Sequence, residues 1–175
     1  MTLLKCFSSL FFTSLLVIGY PAQAVDNVTI DGTLVNLPCS LDPNSTNVPL
    51  DFGDLVSKYF YRNTRTLSRE FKIVLIDCDL AIGQDVMVKF TGNQSVMPGL
   101  LAPDDGDIHG IAVGIELTDG TPVLLDKQTS AQPLTSGVTT LTFQGYVIGE
   151  PDAIKNQTIV TGPFIATTTF ELIYP

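Results

Sequence analysis

The sequence contains no tryptophan and only one histidine, His109, among its 175 residues. A Ser/His/Asp arrangement would have to use that histidine, and no nucleophile motif accompanies it. CxxC pairs, HExxH motifs and phosphate-cradling glycine loops that contain Lys are also missing from the sequence. We therefore predict that the chain is not an enzyme and uses no cofactor and no small-molecule substrate.

Basic residues are scarce as well, since 9 Lys and Arg stand against 18 Asp and Glu, for a net charge of −9. A protein this acidic is repelled by phosphate backbones and anionic lipids, so we expect no nucleic acid and no anionic membrane as partner. Asp104, Asp105 and Asp107 share one loop that could bind Ca²⁺. Their spacing does not match an EF-hand loop, which favours a solvated loop and no metal site.

Long apolar runs are confined to the first residues of the chain. Lys5 precedes an apolar stretch at 10–18, and Ala22-Gln23-Ala24 forms an A-x-A cleavage signal. The stretch is short for a membrane span and is interrupted by Thr and Ser. We predict a signal peptide over 1–24, a mature chain from Val25 and export from the cytoplasm. The remaining length is typical of one domain.

Cysteine is rare, and Cys6 would leave with the signal peptide. Cys39 and Cys78 then remain as an even pair in an exported chain, for which a disulfide is the default expectation. The alternatives are two free thiols or a metal-binding pair. A zinc site would be poorly supplied by two cysteines and one histidine.

Short strand-like runs separated by turn residues make up most of the chain, whereas helical patterns are limited to 54–60 and 152–155. This spacing predicts an all-β sandwich with no second domain. A hairpin is expected at Asp119-Gly120, which is a strong turn dipeptide. The runs lie at 48–52, 71–76, 86–90, 111–117, 122–125, 138–143 and 145–148.

Both ends of the mature chain alternate with period two, as extended strands do. Near the N-terminus, Val28, Ile30, Gly32 and Leu34 share one face. Strand-like segments at both ends of a small exported protein suggest strand exchange between molecules. The C-terminal face follows Gly162 and is mostly apolar, consisting of Phe164, Ala166, Thr168, Phe170, Leu172 and Tyr174.

One aromatic and basic cluster joins Tyr59-Phe60-Tyr61 to Arg62, Arg65 and Arg69. It could contact a sugar or a protein partner. The alternative is a loop that packs Phe60 into the core and exposes the arginines.

The chain resembles the pilin subunits of chaperone–usher fimbriae, and most closely the minor, tip-fibrillum and adaptor subunits of P-pilus-type systems. The similarity covers the whole mature chain. It is carried by the 25–34 segment with Gly32 in mid-strand, by Pro38-Cys39 with Cys78, and by the ending, in which Gly162 is fourteenth from the C-terminus and Tyr174 is penultimate. The final Pro175 departs from the polar or charged residue that is usual there.

The resemblance implies an incomplete immunoglobulin-like sandwich that lacks its last strand and so leaves an apolar groove beside the strand that contains Phe170, Leu172 and Tyr174. Residues 25–37 would be the donor-strand extension and 38–175 the pilin domain. A periplasmic chaperone would first lend a strand to the groove. At the outer-membrane usher, the extension of a neighbouring fimbrial subunit would replace it, which is donor-strand complementation. The subunit would pass through the periplasm to the cell surface and support cell adhesion.

A second reading from a different class stays open at this point. In it, the N-terminal segment completes its own sheet, and the chain is a self-contained secreted carbohydrate-binding sandwich. The loop over 59–69 would then carry recognition.

Overall fold

The structure is a computed structural model and describes residues 30–175. The predicted signal peptide (1–24) and Val28 of the predicted donor segment therefore lie outside the described residues. Residues 35–175 form one compact unit. No helix within the described range is long and apolar enough to cross a membrane.

The described part of the chain contains eight strands, two short α-helices and one 3-10 helix (Pro43–Ser45), which confirms the prediction of an all-β sandwich. Every strand pair is antiparallel. One sheet has the order β1-β2-β7-β4-β5 and the other has the order β6-β3-β8. The elements are β1 (Ser40–Leu41), α1 (Ser57–Asn63), β2 (Arg69–Cys78), β3 (Asp85–Gly92), β4 (Ile111–Leu117), β5 (Pro122–Val123), β6 (Gln132–Pro133), β7 (Gly137–Gly149), α2 (Pro151–Asn156) and β8 (Thr168–Ile173).

The core lies between the two sheets and follows the alternation of their strands. In β3 every second side chain is buried, with Val86, Val88 and Phe90 at most 1% exposed. Phe143 of β7 reaches Phe90 from the other sheet, with ring centroids 5.1 Å apart in an edge-to-face arrangement. Burial of each such side chain contributes about 1.5–3 kcal/mol, so the contact between these faces supplies much of the stability.

The two runs predicted at 138–143 and 145–148 are one strand, β7. Gly145 lies between them. The Leu50 side chain packs against the backbone there, and a Cβ on residue 145 would lie 2.5 Å from Leu50 Cδ2. The Leu50 side chain thus occupies the space that a side chain at position 145 would fill. The strand therefore continues through the glycine rather than ending at it.

The prediction of a strand at 48–52 was wrong, although the alternation was right. Leu50 and Phe52 are half-buried and Asp51 is exposed, but this segment pairs with no strand. Pro49 has no N–H to donate to a ladder. Gly53 then turns the chain at φ +64°, with its N–H donating to the Asp51 carboxylate over 2.8 Å.

The predicted hairpin and helices are present, with shifted boundaries. Gly120 adopts φ +85° between β4 and β5, and the Thr121 N–H donates to the Asp119 carboxylate. The returning strand stops at Val123, so 124–125 do not extend it. The first helix starts at Ser57, later than predicted, and the second covers the predicted 152–155.

The predicted disulfide is present between Cys39 and Cys78, which are 39 residues apart in sequence and both buried. It joins the segment that leads into β1 to the end of β2. In the chain-entropy description, closing a loop of this length destabilises the unfolded chain by about 4 kcal/mol.

The arginine cluster is only partly as expected. Phe60 is buried, and Arg62 and Arg69 are exposed, as the core-packing alternative predicts. Arg65 is different, because it forms a bidentate ion pair with Glu116 over 2.9 and 3.0 Å. Glu116 is only 4% exposed, and a buried carboxylate needs a compensating charge. Its side chain is 38% exposed, so the prediction of an exposed arginine holds only in part for Arg65, whose pairing with Glu116 the sequence did not indicate.

Candidate strand-acceptor groove

Strand β8 is hydrogen-bonded on one edge only within residues 30–175. It pairs with β3 from Thr168↔Gly92 to Ile173↔Met87, and it is the last strand of its sheet. Its other edge presents a row of backbone N–H and C=O groups that a further strand can pair with. This edge is where the C-terminal segment was predicted to accept a strand.

The inward face of the C-terminal segment is incompletely covered. Its members are half-buried, whereas the residues between them from Ile165 to Glu171 are exposed. On the paired strand β3, by contrast, the inward residues are at most 1% exposed. The predicted alternation is therefore correct, and the face lacks the cover that its neighbour has. The half-buried residues are Phe164, Ala166, Thr168, Phe170, Leu172 and Tyr174.

The segment that leads into β1 forms the opposite wall at one end of the groove. A pocket of about 510 Å³ lies between this segment and the end of β8. Its wall over residues 35–41 includes Leu41 at the end of β1, and Leu172 and Tyr174 line the other side. The pocket is mostly apolar, so it suits the side chains of an apolar strand.

Aromatic rings form the floor beside β8. Phe170 lies 6.4 Å from Phe90 between ring centroids, and Phe71 lies 6.3 Å from the same ring. Phe71 and Phe170 both pack against the hydrophobic core, and both are half-buried. A strand added along β8 would therefore bury aromatic surface that the sandwich itself leaves partly exposed.

The Tyr174 hydroxyl is buried at the end of this face and has no hydrogen-bond partner among the described residues. Loss of water raises the pKa of this phenol. A buried hydroxyl without a partner costs about 1–3 kcal/mol. Alternation places Tyr174 on the inward face, but nothing in the sequence indicates whether its hydroxyl is paired.

The other end of the groove is fixed by an acidic loop. The Asp104 carboxylate accepts hydrogen bonds from the Thr167 hydroxyl (2.6 Å) and the Thr167 N–H (3.3 Å), and the Asp104 N–H donates to Ile165 O (2.7 Å). Close packing accounts for Gly162, where a Cβ would lie 2.8 Å from Ile108 Cδ1. The sequence placed Asp104 in a solvated loop and gave no signal for this contact.

The described part of the predicted donor segment has no regular secondary structure. Ile30, Gly32 and Leu34 are exposed, at 91% for Ile30 and 102% for Leu34. Their role as donor residues stays a prediction, as does that of Val28.

The remaining candidates are dispersed. His109 is exposed in its loop, and within residues 30–175 no three His, Cys, Asp or Glu side chains are grouped to hold a metal ion. Tyr59 is exposed beside the buried Phe60. These residues therefore stay apart from the groove's apolar lining.

Comparisons with known proteins agree with this geometry. The major MR/P fimbria protein of Proteus mirabilis is 31% identical over 158 residues, which cover 87% of this chain and 85% of that protein. The fimbrial adapter PapK of Escherichia coli is 28% identical over 160 residues, covering 87% and 90%. The crystal structure of the P pilus rod subunit PapA superposes with a TM-score of 0.70 at 23% identity, covering 79% of this chain and all of that one. This chain and PapA therefore share the fold of an immunoglobulin-like pilin sandwich.

A family model described as "Fimbrial protein" matches residues 28–175. Proteins of this family are structural subunits that assemble with neighbouring subunits into surface fimbriae. The open edge of β8, the half-covered apolar face and the Cys39–Cys78 disulfide are the features of such a subunit. The chain belongs to the fimbrial protein family and is a chaperone–usher fimbrial subunit.

Proposed function

We propose that this fimbrial subunit is a minor or adaptor subunit that polymerises by donor-strand exchange and has no enzymatic activity. The observation that carries the proposal is the unpaired edge of β8 with its half-exposed apolar face. An open edge of this kind promotes aggregation unless another strand covers it. The similarity to PapK, which is described as a fimbrial adapter, supports the adaptor role.

The strand that fills the groove of a neighbouring subunit is residues 25–37, and the pilin domain is 38–175. Burial of Val28, Ile30 and Leu34 in the neighbour contributes about 5–9 kcal/mol, at about 1.5–3 kcal/mol per side chain. A slip by one residue would turn Thr29, Asp31 and Thr33 inward, so the register is strongly specified.

The proposed export route rests on the sequence of the first residues. The predicted signal peptide over 1–24 directs the chain to the periplasm, where a chaperone covers β8 by lending it a strand. At the outer-membrane usher, a donor segment takes the place of the chaperone strand. One groove and one donor segment per subunit make a head-to-tail contact that does not close on itself, so a fibre grows at the cell surface.

Thermal unfolding of three oxidised forms tests the proposal. The first is residues 25–175, the second is residues 37–175, and the third is residues 37–175 with residues 25–36 appended after Pro175 through a short linker, here called the self-complemented chain. We expect the first two to aggregate or unfold at low temperature and the third to unfold cooperatively at a far higher temperature. If the first form is a stable monomer that the appended strand does not improve, donor-strand exchange is wrong and the carbohydrate-binding reading takes its place.

A further inference from the structure

Three contacts anchor the point at which the proposed donor segment joins the rest of the subunit. The Asp79 N–H donates to the Pro38 carbonyl over 2.8 Å, and Cys39 is disulfide-bonded to Cys78. Gly83 closes over the proline ring, since a Cβ there would lie 2.6 Å from Pro38 Cγ. Pro38 and Cys39 are both buried. The firm anchoring of the chain therefore begins at residue 38.

This anchoring leaves almost no linker between donor segment and body. The proposed donor segment ends at residue 37, and one extended residue spans only about 3.3 Å. Once the segment lies in the groove of a neighbouring subunit, the surface around Pro38 has to sit against the body of that neighbour.

Three large apolar side chains are exposed around this point. Leu37 is 55% exposed, and Leu80 and Ile82, which belong to the loop between β2 and β3, are 37% and 41% exposed. Both ends of that loop touch Pro38, at Asp79 and Gly83, so the loop lies beside the residue that follows Leu37. We call Leu37, Leu80 and Ile82 the collar.

The collar has acidic surroundings. Asp77, Asp79 and Asp85 flank it, and residues 73–88 contain no Lys or Arg. A surface that complements it is apolar at its centre and carries basic groups at its rim, because polar and charged groups occupy the rim of protein interfaces.

We propose that the collar is a docking surface for the body of the fimbrial subunit that accepts this chain's donor segment. The inference rests on the proposed function and adds a second contact to the inserted strand. The partner is a fimbrial subunit with an apolar and basic surface beside its own groove. Consecutive subunits are then held by a body-to-body contact as well as by the strand.

The place of the contact on the acceptor follows from strand direction. All strand pairs in this structure are antiparallel, and neighbouring strands in immunoglobulin-like sandwiches are antiparallel as well. A donor strand antiparallel to the acceptor's last strand leaves the groove where that last strand starts. In this chain the corresponding place, beside 162–167 and the Asp104 loop, is acidic, so the acceptor that we propose is a different fimbrial subunit.

Site-specific photo-cross-linking tests the collar. A photoreactive amino acid is placed at position 80 or 82 of the full-length chain, in cells that assemble fimbriae containing it. We expect each to cross-link to a fimbrial subunit at the surface beside the start of its last strand. The matched control is position 124, since Leu124 is 44% exposed but follows β5, the far edge strand of its sheet, away from the collar. Position 124 should give no such cross-link.

The outcomes separate the two proposals. If the chain enters fimbriae but positions 80 and 82 cross-link to nothing or to a remote part of the neighbour, the collar is wrong and donor-strand exchange stands. If the chain does not enter fimbriae at all, the proposed function fails and the collar fails with it.

A double substitution gives an independent measure. We expect Leu80→Ser with Ile82→Ser to speed the dissociation of the subunit junction in heated detergent about tenfold, because two half-buried apolar contacts are lost. Leu124→Ser should leave the rate unchanged. An unchanged rate in the double variant, with normal incorporation into fimbriae, would contradict the collar.

Discussion

The guanidinium of Arg65 donates two hydrogen bonds to the carboxylate of Glu116 and at the same time lies 3.8 Å from the ring centroid of Tyr146. The Ser68 hydroxyl also donates to Glu116. This cluster connects the chain between α1 and β2 to the neighbouring strands β4 and β7. It is the part of the fold that depends most on charge.

The cluster makes stability depend on pH. The hydrogen bond from Arg65 is the main cause that lowers the pKa of Glu116 below its ordinary value. A carboxyl whose pKa is lower in the folded state stabilises the protein above its unfolded pKa of about 4.3 and loses that contribution as the pH falls through the folded pKa. We expect the free energy of unfolding of the self-complemented chain to fall in this acidic range.

Substitution of Glu116 measures the same contribution. Glu116→Gln should lower the free energy of unfolding at pH 7 by about 2 kcal/mol, since it leaves Arg65 without its counter-charge. It should also flatten the pH dependence. The control is Glu70→Gln, because the Glu70–Lys72 pair is exposed and contributes at most about 0.5 kcal/mol. Equal effects of the two substitutions in urea unfolding would show that the buried pair has no special role.

Gly114 in β4 should not tolerate a methyl group. A Cβ there would overlap the ring of Tyr146, which Arg65 holds in place. We expect Gly114→Ala to lower the free energy of unfolding by about 1–3 kcal/mol, as overpacking of a core does. Gly106→Ala is the matched control, since a Cβ at Gly106 meets nothing within 4 Å. A neutral Gly114→Ala would mean that Tyr146 can move aside at no cost.

Removal of the disulfide should destabilise the sandwich strongly. The double substitution Cys39→Ser with Cys78→Ser should lower the free energy of unfolding by about 4 kcal/mol, because the unfolded chain regains the freedom of a long loop. Chemical reduction of the unsubstituted chain should give the same loss. A substituted chain as stable as the oxidised one would show that the clamp at Pro38 alone holds this end together.

Tyr174→Phe should act in the opposite direction. The buried hydroxyl has no hydrogen-bond partner among the described residues, so its removal should raise the free energy of unfolding of the self-complemented chain by about 1 kcal/mol. Tyr59→Phe, at an exposed ring, should be neutral. A destabilised Tyr174→Phe variant would mean that the hydroxyl is hydrogen-bonded in solution.

The alternation of apolar and polar residues predicted the structure reliably, whereas the partners of individual polar side chains were not predicted. The strand around Val88 and the inward face around Phe170 follow from period two, which depends only on backbone geometry, whereas the strand around Val113 was predicted as an apolar run and is buried on both faces. Alternation also placed Leu50 correctly, yet it could not show that 48–52 pairs with no strand, since pairing depends on a partner edge and on Pro49.

The Arg65–Glu116 pair and the Asp104–Thr167 contact join residues 51 and 63 positions apart. Nothing in the neighbouring sequence indicates such partners, because each of these polar side chains alone is typical of an ordinary surface residue. The apolar face of the groove was nevertheless predictable from sequence, since that face and one of the motifs that carry the family resemblance lie in the same short C-terminal segment.

The bare edge of β8 has a mechanical consequence. We expect a donor strand seated there to run along the fibre, so that a pull on the fibre loads its hydrogen bonds to β8, which lie perpendicular to the strands, in shear. Rupture then requires many bonds to break together rather than one after another. The missing strand, which is a weakness in the isolated subunit, becomes the element that resists tension in the fibre.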